Sequence, residues 1–363
     1  MRFFDAHLDL AYLAETGRDM HAELGDCRGR HQPAAVTLSS LRAGGVGACL
    51  ATIFTEAVPD PSAPDAETGA FAYPIGDAFA AYRAGMRQLK LYRAWAEAGV
   101  IRLMHRGTPA ATAPSPPSSD PSAARVSSDA PPLLAGILME CADPIVGPDE
   151  LGEWADLGVI AIGLAWAHQG RYAAGNAVEN RRHGLTDLGR ELVARMDEAG
   201  LVHDASHLSQ RAIDDLFEAT DRPVIASHSN CRALMGDPDT QANQRHLADA
   251  SIREIARRGG VVGINLVSNF LDPAATAAAK KRATIADVVR HAEHVCGVVG
   301  DRKHVGLGTD MDGGFAAVRL PQGIDTPADL VKIAEALRDA GWSDAEVEGF
   351  ARGNWARFWK IAG

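Results

Sequence analysis

Short runs of apolar residues alternate with amphipathic stretches along most of this 363-residue chain. This alternation is typical of parallel strands that are each followed by a covering helix. Eight repeats predict a (β/α)8 TIM barrel, a fold that commonly occupies about 200 to over 400 residues as one domain, so we predict a single domain over residues 1–363. An open, doubly wound sheet is the alternative that the pattern leaves open. The predicted strands are 3–8, 46–53, 135–140, 159–164, 201–205, 224–227, 261–266 and 305–308.

Several predicted helices have recognisable first residues. Thr186, Thr284 and the pair Thr326-Pro327 have the residue types that begin helices, and Gly200 is predicted to end the first of these. Residues 107–132 break the pattern because Ala, Pro and Ser dominate them. Such a segment buries too little apolar surface to offset its ordering entropy. We therefore expect an exposed, poorly ordered insertion in the barrel domain and not a linker between two domains.

Charge and cysteine content exclude several classes of partner. The chain has 36 Lys and Arg against 47 Asp and Glu, a net charge of −11, and no basic cluster of the kind that binds nucleic acid. No run of eighteen apolar residues predicts a membrane span, and the first residues lack the apolar core of a signal peptide. Five cysteines without a CxxC pair favour reduced thiols and hence a cytoplasmic protein.

Metal-competent side chains stand at the ends of separate predicted strands. His7 and Asp9 are two residues apart at the end of the first strand, a spacing that directs both side chains to one face. Barrel enzymes assemble their active sites at the carboxyl ends of the strands, and imidazole and carboxylate groups bind zinc. The remaining candidates at such ends are Glu140, His207, His228 and the acid Asp310.

Other residues near these positions have less specific interpretations. The glycine-rich stretch 306–314 lacks the Lys-Ser/Thr of a phosphate-binding loop, and Asp312 within it has the character of a turn former. His203 is predicted to be a barrel-interior residue or a supporting partner of the ligands. For Arg245, the sequence by itself favours a surface position.

Five blocks of sequence resemble those of the membrane (renal) dipeptidase family, zinc metallopeptidases of the amidohydrolase superfamily. They are DAHLDL at 5–10, HDASHLS at 203–209, IASHSN at 225–230, GLGTDMDGG at 306–314 and ARGNWARFW at 351–359. The resemblance implies two zinc ions per chain, with His7 and Asp9 on the first, His207 and His228 on the second, and Glu140 bridging them. It further implies that Asp310 assists proton transfer and that Arg245 holds the substrate's terminal carboxylate.

One block departs from the family pattern. Where the family has Thr-His-Asn, with a histidine that contacts substrate, this chain has Trp166 in the histidine's place and His168 two residues later. Trp166 and His168 are therefore both candidate substrate contacts. If neither replaces the contact that the family's histidine makes with substrate, we expect a substrate specificity different from the family's.

The resemblance implies hydrolysis of dipeptides, including those with a C-terminal D residue, by a hydroxide shared between the two zinc ions. Three alternatives stay open: an N-acyl amino acid deacylase, a lactam hydrolase and a non-catalytic metal-binding scaffold. The oligomeric state stays open as well, a homodimer included.

Overall fold

A computed structural model describes residues 1–59, 69–105, 131–179, 181–276 and 278–361. Eight parallel strands form the main sheet: β1 Phe3–Leu8, β2 Val46–Ile53, β3 Leu133–Met139, β4 Val159–Gly163, β5 Val202–Asp204, β6 Val224–Ile225, β7 Val262–Ile264 and β8 Val305–Leu307. They follow one another around the sheet in the order β7-β8-β1-β2-β3-β4-β5-β6. Ala226, just beyond β6, bridges to Val262, so the two ends of the sheet meet. This nearly closed barrel confirms the TIM barrel and excludes the open doubly wound sheet.

Helices follow the strands and begin where their capping residues predict. Thr186 accepts a hydrogen bond from the Gly189 amide, and Gly200 ends that helix at a φ of 66°. Thr284 forms a capping box with Asp287, and Thr326 forms one with Asp329 across a 3-10 turn. The α-helices are Leu10–Glu15, Leu38–Ala43, Ala78–Glu97, Leu151–Asp156, Asp187–Ala199, Gln210–Ala219, Asp249–Arg257, Ser268–Leu271, Ile285–Val299, Leu330–Asp339, Asp344–Glu348 and Asn354–Trp359.

Two hydrophobic clusters hold the barrel together. The smaller one gathers inward-facing residues of several strands, including Phe4, Leu50 and Leu138, together with Trp355 from the last helix. Trp355 stacks on Phe4 at a ring separation of 5.9 Å and donates a hydrogen bond to the Leu307 carbonyl. The larger cluster lies between the strands and the surrounding helices. Packing on both faces explains why the strands read as continuous apolar runs.

The structure also differs from the sequence prediction in detail. Strands β5 to β7 are shorter than predicted, and a short parallel strand, Ile101–Leu103, pairs with β3 where none was expected. A second small sheet joins Glu56–Val58 to Ala72–Pro74. The insertion predicted at 107–132 lies, apart from its last two residues, outside the described residues. None of the helices in the described ranges is long and apolar enough to cross a membrane.

Candidate active site

Five predicted ligands converge at the carboxyl ends of the barrel strands. His7 lies near the end of β1, where the pairing register with β2 shifts between Asp5 and Leu8. Asp9 and Glu140 directly follow β1 and β3, whereas the remaining two histidines stand in the loops after β5 and β6. His7, Asp9, Glu140 and His228 are buried, and His207 is partly buried.

Glu140 lies at the centre of this group. Its Oε1 atom is 3.6 Å from Nε2 of His7, 3.1 Å from Nε2 of His207 and 3.5 Å from Nε2 of His228. Asp9 lies on one side of the group, with Oδ1 3.7 Å from Nε2 of His7. The two histidines predicted to share an ion, His207 and His228, have their Nε2 atoms 2.9 Å apart.

These separations suit metal coordination. Donors that lie about 2.0–2.2 Å from one tetrahedral zinc ion are separated from each other by about 3.3 Å. Ligand atoms of His7, Glu140 and His228 lie within 4.8 Å of one another, and so do those of His7, Asp9 and Asp310. Within the described residues, the buried Nε2 atom of His7 has no hydrogen-bond partner. The group therefore has the donors, spacing and open nitrogen that divalent cations require.

The electrostatics of the site also favour a cation. Burial, reinforced by the positive charge of Arg245, lowers the pKa of His7, His207 and His228 well below its usual value, so all three imidazoles are neutral. Burial raises the pKa of Asp9 to about 6 and, with repulsion from Asp9, raises the pKa of Glu140 well above its ordinary range. A bound cation would balance the negative charge of these carboxylates, whose ionised form burial otherwise disfavours.

Ser227 fixes the orientation of two of the histidines. Its hydroxyl donates to Asp204 Oδ2 at 2.5 Å and lies 2.8 Å from Nδ1 of His228 and 3.3 Å from Nδ1 of His7. Because the hydroxyl proton is directed at Asp204, the oxygen is left to accept from both imidazoles. With Nδ1 protonated, the Nε2 atoms of His7 and His228 are unprotonated, and they lie 3.6 and 3.5 Å from Oε1 of Glu140.

Asp310 stands beside Asp9 in the loop after β8. Its backbone has a φ of 57°, a left-handed conformation that is uncommon for any residue except glycine. Asn265 donates a hydrogen bond to Asp310 Oδ2 at 2.9 Å. Burial, followed by repulsion from Asp9, raises the pKa of Asp310 well above its ordinary range. A buried carboxyl group with a raised pKa is a candidate for general acid–base catalysis.

Arg245 is buried against the same group, so the surface position favoured by the sequence alone is wrong. Its Nη2 atom donates to the His228 carbonyl at 2.8 Å and lies 3.1 Å from Nε2 of His207, while Nη1 donates to Ser229 at 3.0 Å. The charges of Asp310 and Glu140 act on this guanidinium from a distance, and among the described residues its Nε atom has no hydrogen-bond partner and no carboxylate pairs with it directly. A buried cation without an ion pair is a natural site for an anionic group of a ligand.

Trp166 lies against the site and His168 lies farther out. The half-buried Trp166 ring is 5.9 Å from the His207 ring and 5.4 Å from the Phe54 ring. The His168 side chain is exposed, with its ring 6.0 Å from that of Trp166. Of the two substrate-contact candidates, Trp166 is the one that borders the group of candidate metal ligands.

Other predicted positions need correction or addition. His203 faces the helix layer and bonds to Asp197 at 2.7 Å, so it neither lies inside the barrel nor supports the ligands. Sequence reasoning missed Thr52, which donates to Asp9, and Asn265, which holds Asp310. Thr52 lies in strand β2, one residue before its end, and Asn265 directly follows β7, so position relative to the strand ends was the available signal.

The fold and the site together define a TIM barrel with a cluster of histidine and carboxylate side chains, able to hold a metal ion, at the carboxyl ends of its strands. The chain belongs to the membrane dipeptidase family, peptidase family M19, whose family model matches residues 1–363. This finding confirms the family that the sequence blocks resemble, a family of metallopeptidases.

Individual relatives are 29–31% identical to this chain over aligned stretches of 200–220 residues. An uncharacterised Klebsiella pneumoniae protein from the pqqA 5' region is 30% identical over 220 residues, covering 58% of this chain and 76% of that protein. Dipeptidase aclJ of Aspergillus oryzae is 31% identical over 200 residues, and dipeptidase 3 of Rattus norvegicus is 29% identical over 216. These matches cover 55% and 58% of this chain but only 44% and 41% of those two proteins.

Solved structures share the fold over the whole chain. A Rhodobacter sphaeroides metallopeptidase, liganded with a phosphinate mimic of the dipeptide L-Ala-D-Ala, superposes with a TM-score of 0.73 at 23% identity over 99% of each chain. The probable dipeptidase PvdM of Pseudomonas aeruginosa superposes with a TM-score of 0.74 at 17% identity, covering 99% of this chain and 94% of that one. At 23% and 17% sequence identity, these superpositions show a shared fold.

Proposed function

We propose that this chain is a dipeptidase that uses two zinc ions to hydrolyse the peptide bond of dipeptides. The observation that carries the proposal is the position of Glu140, whose Oε1 atom lies within 3.1–3.6 Å of three histidine nitrogens. A carboxylate in this position can bridge two cations. Membership of a metallopeptidase family supports the same function.

We assign His7 and Asp9 to one ion and His207 and His228 to the other. Three imidazoles favour zinc over magnesium, which prefers oxygen ligands. Bound zinc supplies a water-derived nucleophile near neutral pH and Lewis acidity toward the scissile carbonyl. The protein holds the ligands in place through Ser227 and Asp204 and excludes bulk water by burying them.

Asp310 and Arg245 act on the substrate and its protons in this proposal. Asp310, next to Asp9, accepts a proton from the attacking water and delivers it to the departing amine. Arg245 pairs with the free carboxylate of the dipeptide, which supplies the direct ion pair that this guanidinium does not form with any of the described residues. A longer peptide would carry its terminal carboxylate beyond Arg245, and the site would therefore favour two-residue substrates.

Dipeptides with a C-terminal D residue belong to the proposed substrates. The support is a related structure in which an L-Ala-D-Ala mimic is bound to the Rhodobacter sphaeroides metallopeptidase. We also propose a cytoplasmic location, since all five cysteines are free thiols and buried.

The first prediction concerns metal content and substrate together. Protein purified without chelators should contain two zinc equivalents per chain and should hydrolyse dipeptides in a screen that includes C-terminal D residues. N-acyl amino acids and lactams serve as the competing substrates. One zinc per chain after zinc supplementation would contradict the proposed two-zinc site. Faster turnover of N-acyl amino acids than of dipeptides would show that the protein is a deacylase and not a dipeptidase.

The second prediction concerns Arg245. Arg245→Ala should weaken dipeptide binding by about 10- to 100-fold, since a charge-assisted bond is worth roughly 1.5–3 kcal/mol. A dipeptide amide lacks the carboxylate and should lose much less. Inhibition constants for matched acid and amide analogues measure the difference, and Arg253→Ala, at an exposed helix position, is the control. Equal losses for acid and amide would show that Arg245 does not bind the carboxylate.

The third prediction separates Trp166 from His168. Because the Trp166 ring borders His207, we propose that it forms an apolar wall of the substrate pocket. Trp166→Ala should change the ranking of dipeptides by kcat/KM, whereas His168→Ala should leave the ranking as it is. A large loss for His168→Ala on every substrate would assign the substrate contact to His168 instead.

A further inference from the structure

The loop after β8 contains a second buried acid, Asp312, which the active-site chemistry does not use. Its Oδ2 atom accepts a hydrogen bond from the Arg18 guanidinium and two more from the amides of Ala35 and Val36, each at 2.8 Å. Both side chains of the Asp312–Arg18 pair are fully buried. An aspartate that only formed its own turn would need none of these distant partners, so the turn-former interpretation is insufficient.

Arg18 extends the connection to the segment before the second helix. Its guanidinium donates to the carbonyl of Val36 at 3.1 Å, of Arg30 at 2.8 Å and of His31 at 3.1 Å. Arg18 and these acceptors all belong to the connection between β1 and β2. The ion pair therefore ties the connection between β1 and β2, which begins at Asp9, to the loop after β8, which holds Asp310.

The backbone between the two acids is held in an uncommon conformation. Asp310 and Asp312 have φ angles of 57° and 62°, and such backbone strain persists where surrounding contacts impose it. Gly313 packs against the carboxylates of both acids of the site, because a Cβ atom there would be 1.8 Å from Oδ1 of Asp310 and 2.9 Å from Oδ2 of Asp9. A small movement of this loop would thus displace the Asp310 carboxylate relative to Asp9.

We infer that Arg18 and Asp312 are positioning residues that set where the Asp310 carboxylate stands relative to the metal ligands. The inference rests on the proposed function, in which Asp310 transfers the proton. Neither residue touches the substrate in this scheme. Their contribution is to hold the Asp310 backbone in its left-handed conformation and fix its separation from Asp9.

The test is a double-mutant cycle on the zinc-loaded protein with a dipeptide substrate. Asp312→Asn should lower kcat about 10- to 100-fold, the usual cost of losing a supporting partner, with little change in KM or zinc content. In an Asp310→Asn background the same change should cause no further loss, because no proton-transferring carboxylate remains to be positioned. Asp339→Asn, at an exposed helix position, is the control.

Asp312→Asn leaves Arg18 as an unpaired buried charge and could unfold the protein for that reason alone. A second variant separates this effect from a loss of positioning. The double variant Arg18→Met/Asp312→Asn removes both charges and should retain the fold. A reduced kcat with full zinc content in this folded variant supports the inference, and a wild-type kcat overturns it. Equal losses from Asp312→Asn with and without the Asp310 carboxylate also overturn it. If Asp310→Asn alone retains full activity, the proposed role of Asp310 in proton transfer is wrong, and the inference about Arg18 and Asp312 falls with it.

Discussion

Replacing Asp310 by asparagine is expected to lower kcat by about 10²–10⁴-fold, the usual contribution of general acid–base catalysis. The fold should persist because asparagine tolerates the left-handed backbone, with φ at 57°, and its carbonyl oxygen can still accept from Asn265. Zinc content should stay at two per chain, because each ion keeps its proposed ligands. Steady-state kinetics, elemental analysis and thermal unfolding measure the three quantities.

The same experiment distinguishes two roles for the Asp310 carboxylate. One of its oxygens lies within 4.8 Å of ligand atoms of His7 and Asp9, close enough for Asp310 to bind an ion itself. A loss of zinc in parallel with activity would make Asp310 a metal ligand first. Retained activity would remove Asp310 from the mechanism and leave the proton carrier to be found elsewhere. Asp339→Asn again controls for the loss of a carboxylate at an exposed position.

The barrel and the group of ligands could be predicted from sequence because both follow from local pattern. Apolar runs identify buried parallel strands, and in a barrel every carboxyl end faces the same mouth. Glu140 and His228 were therefore expected to meet although 88 positions separate them in the sequence. The prediction needed no knowledge of how the loops run.

Arg245 could not be placed in this way because loop pairing determines its position. Cys231 and Leu247 form an isolated parallel bridge, which folds the connection after β6 back on itself. The 3-10 turn Ala242–Arg245 then lies over His207 and His228. Nothing in the local pattern predicts this return, so the sequence alone favoured the surface and only the family resemblance pointed to the site.

Ser227 was missed for a different reason. The predicted strand 224–227 treats Ser227 as its last residue, whereas β6 ends at Ile225 and the chain leaves the sheet after the single bridge from Ala226 to Val262. The Ser227 side chain depends on that exit and on Asp204 of the neighbouring strand, which accepts from both its hydroxyl and its amide. A contact between two strand ends cannot be inferred from either strand considered separately.

Ser227→Ala is expected to weaken binding of both zinc ions, each by about 10- to 100-fold, the range found when outer partners of metal ligands are removed. The reason is that one hydroxyl serves His228 at 2.8 Å and His7 at 3.3 Å, and these histidines belong to different ions in the proposed allocation. Without it, neither ring has this acceptor to hold its Nδ1 proton. Competition of the metal-free protein with a zinc indicator measures both affinities.

A matched control is Ser251→Ala, which removes another buried hydroxyl, one that contacts Gln210 on the helix layer. It should leave both zinc affinities unchanged. Weakening of a single site by Ser227→Ala would mean that the longer contact to His7 carries no energy and that Ser227 supports His228 alone. Unchanged affinities at both sites would mean that burial and packing orient the two imidazoles without Ser227, and that Asp204 holds the Ser227 loop for structural reasons only.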